Sequence, residues 1–109
     1  NGKIVTILSG GDNYRACLMN KSLEDGDFSK PKQFSVKILA SYCDWIGVGI
    51  CHGKTAAEKG YKFDDFESQG HGYYMISSNG GSWSSTDPKA NNIVNNWAFK
   101  GGDVIDCYV

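Results

Sequence analysis

Two histidines and four cysteines are the residues of this 109-residue chain whose side chains could carry nucleophilic or metal chemistry. Cys51 and His52 are adjacent, at the end of an apolar run that reads as a strand. Neighbours on a strand point to opposite faces, so this pair forms no local thiol–imidazole dyad. His71 could approach Cys43 or Cys51 in space, but no spacing requires it. None of Cys17, Cys43, Cys51 and Cys107 falls in a Cys-x-x-Cys pair, whereas structural zinc prefers short knuckles with two or more ligands each. Four cysteines are also too few to staple a domain of this length. They are expected as free thiols, buried or half-buried, in a reducing compartment. No cofactor and no metal is expected, and a cysteine-dependent enzyme is the remotest reading of the function.

The remaining chemical motifs are thin. The acidic run Asp64-Asp65-Phe66-Glu67 lacks the Asp-x-Asp-x-Asp-Gly order of a calcium loop. It reads as a solvated loop with Phe63 and Phe66 turned inward. Gly53-Lys54-Thr55 superficially resembles a phosphate loop, yet Gly47 misses the required glycine position by one and no long helix is expected to follow. Asn20-Lys21-Ser22 fits the glycosylation sequon, a tripeptide common by chance. Gly-Gly-Asp occurs at 10–12 and again at 101–103, and both copies read as tight turns, with glycine at positive φ and the aspartate supplying capping bonds. The tryptophans remain. Trp45 opens an apolar strand and reads as core. Trp83 and Trp97 flank a polar loop, where each either anchors a partner from the surface or caps a sheet edge.

The elements that must position these residues are strands. Gly is abundant at 14 and Pro rare at 2, and aromatic and β-branched residues come in short bursts between Gly/Asn/Asp/Ser clusters. The bursts are Lys3–Leu8, Tyr14–Asn20, Gln33–Ala40, Trp45–Cys51, Gly72–Ser77 and Val104–Val109, with Trp97–Lys100 as a stub. In Trp45–Cys51 the apolar face is Ile46, Val48 and Ile50, with Gly47 and Gly49 opposite, which lets a backbone or a large ring lie close and predicts a central, well-covered strand. Thr55–Lys59 could make one helical turn with Thr55 as cap. Ser82–Asn96 reads as a long polar loop. The result is an all-β chain, an antiparallel β-sandwich filling one domain over 1–109.

Composition excludes some partners. Eleven basic against 12 acidic residues give a formal charge of -1, so there is no basic field to attract nucleic acid or an anionic membrane. No apolar stretch approaches the ~20 residues of a membrane span. No leader peptide is evident, and an intracellular, soluble protein is expected.

Several pieces, taken in order, resemble the SPRY domain, the core of B30.2 modules. Trp45-Ile46-Gly47-Val48-Gly49-Ile50 is similar to that family's "W-x-x-G-V" strand, and Gly72-Tyr73-Tyr74-Met75-Ile76-Ser77-Ser78-Asn79-Gly80 to its "S-W-G-Y-x-x-x-x-G" segment. Phe99-Lys100-Gly101-Gly102-Asp103-Val104-Ile105 matches the family's "F-x-x-G-D-x-I-G" strand start, the most specific piece. The agreement runs over about residues 33–109. It departs at Asp106, where glycine is usual, and at the middle tryptophan, replaced by Tyr74 or displaced to Trp83. Family members continue through further strands, so the resemblance implies a fragment: an incomplete sandwich of the SPRY/concanavalin-like jelly-roll type.

The resemblance implies a non-catalytic module that binds a protein or peptide partner through its loops, as part of a larger protein or complex. Loops near 41–44, 52–70 and 82–97 are the expected contact regions, with Tyr42, Asp44, His52, Trp83 and Trp97 as candidate partner-binding residues. The alternative is a structural packing element of a large cytoskeletal or ciliary assembly. The expected location is the cytoplasm, with cytoskeletal or ciliary association, and without nucleic-acid or membrane partners.

Overall fold

The computed structural model describes residues 16–19, 23, 29–39, 45–63, 69–94 and 97–109. The Lys3–Leu8 burst, the first Gly-Gly-Asp turn, the sequon, Tyr42, Cys43, Asp44 and the acidic run at 64–67 lie outside these residues.

Alternation of apolar and polar side chains fixes the first sheet. Strand β1 (Gln33–Lys37) pairs antiparallel with the last strand of the chain, Val104–Tyr108, in the register Phe34↔Cys107 and Val36↔Ile105. Because strand side chains alternate, Phe34, Val36, Ile105 and Cys107 share one face of this ribbon, while Gln33, Ser35, Asp106 and Tyr108 share the other. The outer face is stitched by cross-strand bonds, Gln33 Nε2 to Tyr108 OH at 3.1 Å and Ser35 Oγ to Asp106 Oδ1. Gly101-Gly102-Asp103 makes the turn before it, with Gly102 at φ +95 and Asp103 Oδ2 accepting from the Lys100 amide at 2.8 Å.

The second sheet has four antiparallel strands in chain order: β2 (Gly47–Cys51), β3 (Tyr73–Ser77), β4 (Gly81–Ser84) and β5 (Ile93–Val94), with Val104–Tyr108 of the ribbon as β6. Among the described residues the fold is therefore all-β and antiparallel, with one short helix, α1 (Gly53–Glu58), and a single 3-10 turn at Pro88–Ala90. No described helix is long and apolar enough to cross a membrane.

Five expectations need correction. Residues 16–19 are not a strand, although the Ala16 amide donates to the Tyr61 carbonyl. Trp97–Lys100 forms no strand either. The helix starts at Gly53 rather than Thr55, with His52 in the capping position and making no side-chain cap bond. The supposed loop 82–96 carries β4, the 3-10 turn and β5. Its polar side chains hold it: Ser82 Oγ donates to the Ala90 carbonyl at 2.9 Å and Asp87 caps the Lys89 amide. Finally, β2 lies at the end of its sheet among the described residues rather than at the centre.

The four-stranded sheet is covered on both faces. On one, Ala56 of α1, Phe63, Tyr73 and Trp83 form a buried cluster backed by Trp45, Cys51 and Met75. On the other, Val48 packs with Ile38, Phe99 and Ile105, backed by Ile46, Ile76, Val36 and Cys107. Gly47 and Gly49 face the aromatic side, as their spacing implies. A Cβ on Gly49 would collide with the Tyr74 carbonyl oxygen and stand 2.6 Å from Met75 Cα, backbone that cannot give way, so no larger residue fits there.

Candidate functional site

The aromatic face is a closed, hydrogen-bonded assembly. Phe63 is its hub, edge-on to Trp83 at 5.6 Å, to Tyr73 at 5.2 Å and to His71 at 5.4 Å, and stacked on Trp45 at 6.0 Å. Such pairs prefer edge-to-face or offset geometry because ring edges are positive and faces negative. Trp83 is only 5% exposed, and its Nε1–H donates to Ser77 Oγ at 3.0 Å. The expectation of Trp83 as a surface anchor is thereby corrected. β4 points its side chains alternately, and residue 83 lies opposite Met75 on the covered face.

His71, 2% exposed, is part of the same assembly. Its Nδ1 accepts from the Tyr73 amide at 3.1 Å, so the proton resides on Nε2, which faces Asn91 Oδ1 at 3.3 Å. Asn91 Oδ1 also accepts from the Ser84 amide at 2.7 Å. Both imidazole nitrogens are thus occupied by structural partners, and neither is free to activate a thiol. Burial pushes the Cys51 thiol up, away from the thiolate form that a nucleophile needs. Burial raises the Tyr73 phenol as well, with smaller contributions from Cys51 and Tyr61, and its hydroxyl has no hydrogen-bond partner among the described residues. Cys17, Cys51 and Cys107 are free thiols. No group of three or more His, Cys, Asp or Glu side chains among the described residues could hold a metal ion.

The aliphatic face is closed only at one end. Where Ile38, Val48, Phe99 and Ile105 meet, the sheet and ribbon are in contact. Beyond them an open cleft of about 330 Å³ separates Phe34 and Cys107 of the ribbon from Ile50 and Tyr74 of the sheet, and Trp97 borders it. Trp97 is 57% exposed and braced edge-on against Phe99 at 5.9 Å, so an exposed ring is held in place by a buried one. His52 sits one contact away. Its ring packs edge-on to Tyr74 at 5.5 Å, with Nε2 3.4 Å from the phenol oxygen. The Cys107 thiol on the ribbon is pushed up, first by burial and then by the charge of Asp106.

Of the five residues singled out from sequence, then, the structure puts Trp97 on the cleft, His52 outside it against the lining residue Tyr74, and Trp83 on the opposite face of the sheet, and leaves Tyr42 and Asp44 outside the described residues. Tyr74, Ile50 and Phe34 were missed. Tyr74 carried a readable signal, since it alternates out of phase with the buried Tyr73 on a strand whose two faces are both covered. Comparison with protein-family models, with curated proteins and with solved structures finds no match for this chain.

Proposed function

We propose that this chain is a SPRY-like antiparallel β-sandwich acting as a non-catalytic interaction module of a larger cytoplasmic protein. Its partner is a protein or peptide. The observation that carries this reading is the open end of the aliphatic seam, where an exposed tryptophan and a tyrosine, the latter backed by His52, border apolar side chains on rigid strands. Aromatic residues at the centre of an apolar patch give large contact area at little cost in side-chain entropy, which is how most binding energy is concentrated. The occupied nitrogens of His71 and the raised Cys51 thiol speak against a thiol enzyme.

The test is affinity capture from a cytosolic extract, followed by titration of the recovered partner against purified chain. A double variant, Trp97→Ala with Tyr74→Ala, is expected to lose that partner while keeping the parent's thermal melting. A partner retained at full affinity by the folded double variant would overturn the reading.

A packing role in a cytoskeletal or ciliary assembly is the second reading. It is favoured by the outer face of the ribbon, where Val104 and Tyr108 are 55% and 68% exposed. Binding that survives the cleft variants but disappears with Val104→Ser and Tyr108→Ser would favour it.

A further inference from the structure

The turn between β3 and β4 contains Asn79-Gly80. In such a pair the backbone nitrogen of the glycine can attack the side-chain amide carbon of the asparagine, because glycine has no side chain to shield its own nitrogen and leaves the backbone free to approach. Here both reactants are held. Gly80 is buried at φ +84, and its N–H donates to the Ser77 carbonyl at 2.8 Å. Asn79 Oδ1 accepts from Ser77 Oγ at 2.6 Å and from the Gly81 amide at 3.3 Å. Ser77 is fully buried, and its oxygen in turn accepts from Trp83 Nε1. The Asn79 side chain is therefore tied through one hydroxyl to the aromatic core.

We propose that Asn79-Gly80 is a latent succinimide site, closed in the folded chain and exposed to reaction only when the β3–β4 hairpin opens. The reaction needs nothing but water. The Gly80 amide gives its proton to water or hydroxide, and the nitrogen attacks Asn79 Cγ. The new carbon–nitrogen bond closes a five-membered ring, the Cγ–Nδ2 bond breaks, and Nδ2 leaves as ammonia after taking up a proton. Water then opens the ring at either carbonyl to give aspartate or isoaspartate. The two products differ in consequence. Aspartate keeps the oxygen that Ser77 and Gly81 donate to, now as charge-assisted bonds. Isoaspartate routes the backbone through the side-chain carbon, which lengthens the turn and spoils the register Ile76↔Ser82. Asn79 itself is exposed, but the attacking Gly80 amide is buried and hydrogen-bonded to the Ser77 carbonyl, so it reacts only through local opening and the rate reports the opening equilibrium of the hairpin.

The experiment incubates the full chain in mildly alkaline buffer, with and without concentrated urea, and follows amide-to-acid conversion at residue 79 by peptide mapping. Folded chain should convert at least about tenfold more slowly than chain in urea, the protection expected where reaction requires opening. Ser77→Ala should convert at a rate between the two. Asn79→Asp, which retains the accepting oxygen, should melt at the parent temperature. Equal rates with and without urea, no conversion in urea, or a lowered melting temperature for Asn79→Asp would each overturn the proposal.

Discussion

The two faces of one sheet are packed by different means. Below β2, β3 and β4 lies an aromatic cluster wired by hydroxyls and amides, Trp83 to Ser77, His71 to Asn91 and the Tyr73 amide, Gly72 to Ser85, with the Tyr73 hydroxyl left unpartnered among the described residues. Above them lies an aliphatic seam with no polar demands, formed by Ile38, Val48, Phe99 and Ile105. Directional bonds tolerate few arrangements, whereas methyl groups in a seam fill space wherever the backbone puts them. The wired face therefore specifies the fold and the seam is free to end early, leaving a cleft. On the proposed reading, stability and recognition fall on opposite sides of the same strands.

The largest test of that contrast is Trp83→Ala. Removing a buried indole should cost about 3–5 kcal/mol in urea denaturation, as for other large-to-small aromatic truncations. A loss within the scatter of surface substitutions would show that Trp83 is not core. Next comes Ser77→Ala, which removes the hydroxyl that accepts from the buried Trp83 Nε1–H and should cost about 1–3 kcal/mol. If the aromatic face were held by packing alone, this variant would melt with the parent. On the other face, Ile105→Val removes one methylene from the tightest point of the seam, and about 0.5–1.5 kcal/mol is expected. A larger penalty than that of Ser77→Ala would invert the comparison.

How far these contrasts were readable beforehand depends on what each segment uses to hold itself. β1, β2, β3 and β6 are held by apolar alternation, and Phe34-x-Val36 or Val48-x-Ile50 shows that directly in sequence. β4 and β5 are not. In Gly81-Ser82-Trp83-Ser84 a single apolar residue faces inward, and the strand is fixed by serine hydroxyls and by Asn91 Oδ1 bonding the Ser84 amide. Those partners are distant in sequence or generic in type, so the segment looks like a loop. Trp83 was misplaced for the same reason, because polar neighbours suggest solvent when they are in fact its hydrogen-bond shell. His52 and Trp97 could be named as candidates, but Trp97's place on the cleft and His52's link to it through Tyr74 depend on the ribbon's placement over the sheet, which no local pattern encodes.

The thiols give each face its own reporter. Cys51 flanks the aromatic cluster and Cys107 the seam, and both are raised by burial, so the folded state favours the neutral thiol. The stability tied to them is fully present at neutral pH. It falls as pH climbs past the ordinary thiol range near about 8.5, where the unfolded chain ionises first. Denaturation at neutral and at alkaline pH should show this loss, and Asp106→Asn should reduce only the part due to Cys107. An equal effect of that substitution on a Cys107→Ala background would mean that the carboxylate acts elsewhere.

The smallest expected effect on stability is also the most informative about use. Trp97 is more than half exposed and leans on Phe99 without being enclosed. Trp97→Ala should change stability by no more than about 0.5 kcal/mol, as for surface substitutions away from caps and cores. If the cleft receives a partner, the same change should weaken binding well beyond that amount, because a truncated central aromatic loses its desolvated contacts. Stability and affinity would then separate at one residue. Should Trp97→Ala instead destabilise the fold as much as Ile105→Val does, Trp97 would be the lid of the seam, and the difference between the two faces would be one of packing chemistry alone.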